Sequence, residues 1–118
     1  MRDASAFAAE WEAAWNAHDL GAVMAHYADD VVFRSNKAVP LTGAAEIEGK
    51  ATLRSYWAAA LRRQPDLRFA VERVFEGPGM LVIAYRNHRG VHAAETLRFG
   101  PDGLVVDGSA CHAPVAAT

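Results

Sequence analysis

Apolar residues in the first third of the chain recur at helical spacing and then give way to a short apolar run. Trp11 and Trp15 lie four positions apart and Phe7 extends their stripe, which predicts a helix over residues 5–17. A second stripe follows at positions i, i+3, i+4 and i+7: Leu20, Val23, Met24 and Tyr27. The run that starts at Val31 then predicts a short strand over residues 31–35.

A third helical stripe follows Gly49 and ends before Pro65. Its apolar positions recur at i, i+3, i+4, i+7 and i+8: Leu53, Tyr56, Trp57, Ala60 and Leu61. The intervening residues 34–48 are mostly polar and include Pro40 and Gly43. We expect this segment to form an irregular lid over the helices and the sheet.

From Leu67 onward the apolar residues alternate with polar ones, which is typical of strands with one buried face. Turn signals rich in glycine and proline divide this half into four strands, which we place at about residues 67–76, 80–89, 91–99 and 104–112. Helices followed by strands in short-turn succession predict an α+β fold. We therefore predict one domain, residues 1–118, with three N-terminal helices packed on an antiparallel sheet.

The turn lengths decide which side chains share a face of this sheet. If the last two hairpins both have two-residue turns, Arg86 and Glu95 are diagonal neighbours on one face. That face also carries His88 and His112, separated by alanine and glycine residues that leave room for a ligand. The opposite face carries an apolar patch through which we predict a homodimer: Leu81, Ile83 and Tyr85.

Composition and charge narrow the class of protein. The 118 residues carry a formal net charge of −2 without a basic block, which argues against a nucleic-acid partner. No apolar run approaches the roughly 18 residues of a membrane span, so we expect no membrane partner. Asp3 and Glu10 argue against a signal peptide, and the single Cys111 fits a reducing compartment. We therefore expect a cytoplasmic protein.

The sequence carries no signature of a cofactor or a metal. It contains no nucleophile elbow, P-loop or dinucleotide-binding glycine pattern. In the predicted register His88 and His112 fall on one face of the sheet, whereas His92 and Cys111 fall on the other, so four ligands do not converge. We therefore expect neither a cofactor nor a metal site.

The stretch WEAAWNAHDLGAVMAHYADDVVF, residues 11–33, resembles the entry segment of the SnoaL-like branch of the nuclear transport factor 2 (NTF2-like) superfamily. That resemblance implies a cone in which three helices and a strongly bent antiparallel sheet enclose a pocket. It also implies a small-molecule ligand, because isomerases, cyclases and dehydratases occur in the superfamily beside proteins that are not enzymes. The reaction itself does not follow from the fold.

Residues 95–103, ETLRFGPDG, resemble the segment of ketosteroid isomerases that carries a pocket acid, and Glu95 takes the acid's position. On the last strand, the position of a pocket aromatic residue falls on His112. The general-base position falls on Ser35, and the position of the oxyanion-hole tyrosine falls on Trp11. Since neither residue supplies the chemistry of the one it replaces, we do not predict a steroid isomerase.

The predicted site combines the face of the sheet with this resemblance. Its catalytic candidates are Glu95, Arg86, His112 and His88. Its ligand-binding candidates are Ser35 and the apolar and aromatic residues expected around the cone: Trp11, Trp15, Tyr27, Phe33, Tyr56, Trp57, Val82, Leu97 and Phe99. We expect Arg86 to pair with Glu95 and to keep it ionised, because an isolated buried charge is costly.

Two functions remain open at this point. The first is a cofactor-free enzyme of the isomerase, cyclase or dehydratase type that transfers protons on a small apolar molecule, with Glu95 as acid or base. The second is a non-catalytic dimeric module that binds a ligand or only assembles. A closed apolar cavity around a poised Glu95 favours the enzyme, whereas a carboxylate fully paired with Arg86 favours the module.

Overall fold

The computed structural model describes residues 3–114, and the helices in this part of the chain are α1 (Ala4–Asn16), α2 (Leu20–Met24), α3 (Val39–Thr42) and α4 (Lys50–Arg63). Aspartates cap the first two helices. The Asp3 carboxylate accepts a hydrogen bond from the Ser5 amide, and the Asp19 carboxylate accepts one from the Ala22 amide, both at 3.0 Å. None of these helices is long and apolar enough to cross a membrane.

Helix α3 is an addition to the three predicted helices, and it lies in the segment predicted to be an irregular lid. That segment also contains a 3₁₀ turn at Asn36–Ala38 and a short strand. Pro40 stands in the first turn of α3, where its missing amide costs nothing, and Gly43 ends the helix in the left-handed region with a φ of 84°. The two residues that suggested a loop are therefore the start and stop signals of a four-residue helix.

Within residues 3–114 the sheet is mixed and has six strands: β1 (Tyr27–Ser35), β2 (Glu46–Glu48), β3 (Phe69–Gly77), β4 (Met80–Asn87), β5 (His92–Phe99) and β6 (Val105–His112). Their order across the sheet is β2-β1-β6-β5-β4-β3. The last four strands form the predicted antiparallel meander, but β1 and β6 pair in parallel. The prediction of a wholly antiparallel sheet is wrong at this pairing, because turn signals report only on neighbours in sequence.

The connection between β4 and β5 has three residues rather than the predicted two. The Asn87 amide donates to the Val91 carbonyl, and the Gly90 amide donates to the Asn87 carbonyl, both at 3.0 Å. Gly90 has a φ of 78°, a conformation that three-residue hairpin turns require at their last position. The extra residue moves the pairing by one position, so Ile83 faces Glu95 across the two strands.

A one-residue change of register exchanges the two faces of a strand. The predicted outer patch on β4 therefore points into the core, where its members are at most 4% exposed: Leu81, Ile83 and Tyr85. Arg86 lies instead on the exposed outer face, opposite His92. The predicted apolar outer surface is wrong, and the homodimer stays a prediction without that surface to support it.

The pairing of β5 with β6 differs from the predicted one by two one-residue shifts. Because two shifts cancel, each residue of these strands stays on its predicted face of the sheet. The turn of this hairpin also has three residues and ends at Gly103, whose φ is 82°. A bulge after Arg98 adds the second shift. Glu95 therefore points into the fold, as predicted, although its partner on β6 is Ala110 rather than Gly108.

Polar side chains fasten α1 to the edge strand β3. Asn16 Nδ2 donates to the Phe69 carbonyl at 2.9 Å, and the Phe69 amide donates to Asn16 Oδ1 at 2.7 Å. The Val71 amide donates to Glu12 Oε2 at 2.6 Å. Between these bonds Trp11 stacks on Phe69, with ring centroids 5.3 Å apart. The helix layer is thereby fixed on the inner face of the sheet.

Replacing Asn16 by alanine is expected to lower the free energy of unfolding by about 1–3 kcal/mol, because both backbone groups of Phe69 lose their partner. Urea unfolding followed by far-UV circular dichroism measures the change. Asn36→Ala is the matched control, since Asn36 is exposed. An equal loss in both variants would contradict the role of Asn16.

Candidate functional site

Glu95 lies in the middle of β5 and points toward the helices. Its neighbours across the ladder are Ile83 and Ala110, and the flanking residues on the same face of β5 are Ala93 and Leu97. All four neighbours are apolar. Glu95 is only 4% exposed, and its Oε2 atom has no hydrogen-bond partner in the described chain. Ionisation would leave a charge there without compensation.

Burial raises the pKa of Glu95 from 4.5 to about 8. The Trp11 indole N–H opposes this rise, but only weakly, because neither Trp11 Nε1 nor Glu95 Oε2 reaches hydrogen-bond geometry with any described residue. The predicted ion pair with Arg86 is wrong, since that side chain lies on the other face of the sheet. Glu95 is therefore protonated at neutral pH.

Three phenols surround this carboxyl group: Tyr27, Tyr56 and Tyr85. Burial raises the pKa of each phenol, and the nearby Glu95 raises it further, while Ser35 opposes the rise at Tyr56. The Tyr27 hydroxyl is fully buried without a hydrogen-bond partner among residues 3–114. The centre of the site is thus a set of neutral O–H groups.

A pocket opens from Glu95 to the surface between α4 and the sheet, with a cavity volume of about 80 Å³. Apolar and aromatic side chains form most of its wall: Trp15, Phe33, Tyr56, Trp57, Ala60, Leu67, Phe69, Tyr85 and Ala110. Trp57 meets Trp15 and Phe33 edge to face, at centroid distances of 5.0 and 5.2 Å. Such walls suit a flat, apolar molecule.

Two basic side chains line the pocket near the end of β1. Burial lowers the pKa of His112, and the charge of Lys37 lowers it further, so the imidazole is neutral at pH 7. Lys37 is exposed, and no ion pair holds it in the described part of the chain. The buried Ser35 hydroxyl accepts a hydrogen bond from the Lys37 amide at 3.2 Å and so fixes the backbone from which the lysine extends.

His88 lines the opposite side of the pocket, from the turn between β4 and β5. Its side chain is only 10% exposed, and neither ring nitrogen has a hydrogen-bond partner within residues 3–114. The nearest acid is Asp66, whose Oδ1 lies 3.5 Å from His88 Nε2 and which is itself 75% exposed. His88 is therefore a buried polar group with unused hydrogen-bonding capacity.

Most of the predicted site residues line this pocket: Glu95, His88, His112, Trp15, Phe33, Ser35, Tyr56 and Trp57. Trp11, Tyr27 and Leu97 are at most 1% exposed and form the core behind it. Val82 belongs to the outer face of β4, and Phe99 borders a second cavity that Glu95 does not line, so their predicted place in the site is wrong. The structure thus brings together three of the four catalytic candidates and five of the ten ligand-binding candidates.

Sequence reasoning missed several lining residues: Lys37, Gln64, Leu67, Phe69, Tyr85 and Asn87. Tyr85 was missed because the predicted register of β4 placed it on the outer face of the sheet. Gly90, which follows two turn residues, is itself a signal of a three-residue hairpin. Lys37 was overlooked because its segment was interpreted as a lid. Across residues 3–114, no group of three or more His, Cys, Asp or Glu side chains is placed to hold a metal ion.

A family model described as a SnoaL-like domain matches residues 8–112, a range that contains every residue lining the pocket. The chain belongs to the SnoaL-like domain family. The resemblance seen in residues 11–33 is thereby confirmed. No curated protein matches this SnoaL-like chain.

Solved structures agree with this assignment. A SnoaL-like protein of unknown function from Burkholderia thailandensis is 40% identical, with a TM-score of 0.88 over 94% of this chain and 95% of its own. AclR from Streptomyces galilaeus, a proposed hydroxylase, is 24% identical, with a TM-score of 0.73 over 92% and 87% of the two chains. A proposed ketosteroid isomerase from Kribbella flavida is 16% identical, with a TM-score of 0.71 over 96% and 79%. The last two show only that the SnoaL-like chain has the α+β NTF2-like fold.

Proposed function

We propose that this SnoaL-like protein binds a small, largely apolar organic molecule in the pocket and catalyses proton transfer on it without a cofactor. The observation that carries the proposal is the state of Glu95. It is buried among apolar neighbours, no ion pair holds it within residues 3–114, and burial raises its pKa to about 8. A carboxyl group that stays protonated at neutral pH can act as a general acid and hydrogen-bond donor.

His112 is the group best placed to accept a proton. It lines the same pocket and is neutral at pH 7, because burial and the charge of Lys37 both lower its pKa. Glu95 faces Ala110 across the strands, and His112 lies two residues farther along the same face, a diagonal spacing of ~7–8 Å. A protonated acid and a neutral base at that distance can act on two ends of one small molecule.

The reaction that such a pair supports is the movement of a proton between two carbons of a carbonyl compound. His112 removes a proton from the carbon beside the carbonyl group while Glu95 donates a proton to the carbonyl oxygen. Return of both protons, with the carbon proton delivered to a different carbon, gives the isomer, and no electrons are gained or lost. The aromatic walls shield the buried Glu95 from water and so strengthen its hydrogen bond to the ligand.

This scheme differs from the ketosteroid isomerase pattern in its base and its oxygen-binding donors. Ser35 and Trp11 occupy the positions of the isomerase base and phenol, and neither performs those tasks. In the proposed scheme His112 replaces the base, while Tyr27, Tyr56 and Tyr85 supply phenols around the acid. The proposal therefore depends on the residues of this pocket and not on the fold alone.

Proton transfer can be detected without knowing the natural substrate. Wild-type protein is expected to speed hydrogen–deuterium exchange at the carbons beside the carbonyl of at least one cyclic enone from a panel dissolved in D2O, as followed by proton NMR. Glu95→Gln is expected to reduce that exchange by about 10²–10⁴-fold, the usual contribution of a general acid or base.

Glu48→Gln is the matched control, because Glu48 is exposed on the edge strand β2. We expect it to exchange protons at the wild-type rate. Equal rates in wild type and Glu95→Gln would show that Glu95 is not the acid, and a wild-type rate equal to that of buffer for every enone would count against proton transfer altogether.

A further inference from the structure

The described residues that line the pocket carry a positive charge and no negative one. Among the lining residues within 3–114, Lys37 is the only lysine or arginine, and Glu95, the only carboxyl group, is protonated at neutral pH. Lys37 has no ion-pair partner in the described chain, so its charge remains available. A ligand that enters this pocket therefore meets the charge of Lys37 and no ionised carboxyl group among the described lining residues, and the exposed Asp66 beside His88 does not line the pocket.

A second observation on the other side of the pocket points to a ligand. The His88 side chain is nine-tenths buried, and both of its ring nitrogens lack a hydrogen-bond partner among residues 3–114. Asp66 Oδ1 lies 3.5 Å from Nε2 without forming a hydrogen bond, whereas Nδ1 has no such neighbour in the described chain. Buried polar groups are seldom left without a partner, so Nδ1 at a pocket wall indicates a partner from outside the chain. His88 lines this pocket together with Lys37.

We propose that the ligand is a flat cyclic organic anion, whose ring lies between the aromatic walls and whose carboxylate, phenolate or enolate oxygen binds Lys37, with His88 as a second polar contact. A protonated Glu95 accepts such a ligand, because it places no like charge in front of the anion. The inference rests on the proposed ligand-binding role of the pocket, but it does not require that Glu95 catalyse a reaction.

The test compares two probes of the same shape, 2-naphthoate and 2-naphthamide, which differ in charge. Isothermal titration calorimetry at low salt is expected to give a dissociation constant about tenfold lower for the acid than for the amide, the size expected for one charge-assisted contact. Lys37→Met is expected to abolish most of this preference and to leave the affinity for the amide unchanged. Lys37→Arg is expected to retain it.

Lys50→Met is the matched control, because Lys50 is the only other lysine in the chain and does not line the pocket. Equal affinities for the acid and the amide in wild type, or equal losses in the two methionine variants, would overturn the inference, and so would the absence of binding of either probe at millimolar concentration. If Lys37→Met does not fold, Lys37→Gln takes its place.

Glu95→Gln separates this inference from the proposed function. If the preference for the acid persists in wild type and in Glu95→Gln while neither protein exchanges enone protons, the anion site stands and the catalytic proposal falls. If exchange depends on Glu95 but the acid and the amide bind equally, the catalytic proposal stands and the anion site falls.

Discussion

Glu95→Gln is expected to unfold with a free energy about 3–5 kcal/mol higher than wild type at pH 9, an unusual gain for a change at a functional site. Glutamine matches the protonated carboxyl group in size and cannot ionise. In wild type, the displacement of the Glu95 pKa from 4.5 to about 8 means that ionising the buried group costs free energy. The variant never bears that cost.

The pH dependence follows from the direction of the shift. Between pH 4.5 and 8 the folded state keeps the Glu95 proton whereas the unfolded state loses it, so wild-type stability falls as the pH rises. Above about pH 8 the group is charged in both states and the loss is complete. The difference between variant and wild type should therefore vanish near pH 4 and reach its full size above pH 8.

Urea unfolding at a series of pH values measures this difference, and contributions from other groups cancel in the comparison. Glu48→Gln, at an exposed position, should differ from wild type by less than about 0.5 kcal/mol at every pH. A Glu95→Gln variant that tracks wild type from pH 4 to 9 would mean that Glu95 is solvated, and the proposed acid would be lost with it.

Trp57→Ala is expected to lower the free energy of unfolding by about 3–5 kcal/mol, since it removes a large buried ring from the centre of the aromatic cluster. Trp57 is only 5% exposed, and its ring meets those of Trp15, Tyr27 and Phe33 at 5.0–5.2 Å. The same ring lines the pocket, so the loss should also weaken the binding of flat ligands.

Denaturant unfolding of Trp57→Ala and Phe75→Ala distinguishes burial from aromatic content. Phe75 lies on the outer side of β3 and is 53% exposed, so its truncation should cost less than about 1 kcal/mol. Similar losses in the two variants would show that the cluster around Trp57 relaxes to fill the cavity, and that it does not form a rigid pocket wall.

The helices α1, α2 and α4 could be predicted from the sequence because their signals are local. The stripes that contain Trp11, Met24 and Trp57 are buried, and Asp19 caps α2. Amphipathic spacing and N-cap chemistry act within a few residues, so they are visible without the rest of the fold. The parallel pairing of β1 with β6 joins distant parts of the chain, and no local sequence signal predicts it.

The residues of the candidate site could be predicted only where the alternation of inward and outward side chains was enough to assign each residue to a face of the sheet. Glu95 was placed correctly because the two shifts in the β5–β6 hairpin preserve the faces of β5 and β6. Arg86 and Tyr85 were assigned to the wrong faces, because a single one-residue shift in the β4–β5 hairpin exchanges the two faces of β4. The carboxyl group was consequently expected to be ionised beside a cation, and it is instead neutral among apolar side chains and phenols.

The three-residue turn that ends at Gly90 also constrains how this gene can change. Hairpin loops on protein surfaces ordinarily tolerate the gain or loss of a codon. Here the loss of one codon would produce a two-residue connection and reverse the two faces of β4. Arg86 would then point into the core, and Tyr85 would point to the outside. The pocket therefore depends on the length of this hairpin loop, and on a residue at position 90 that can adopt a positive φ.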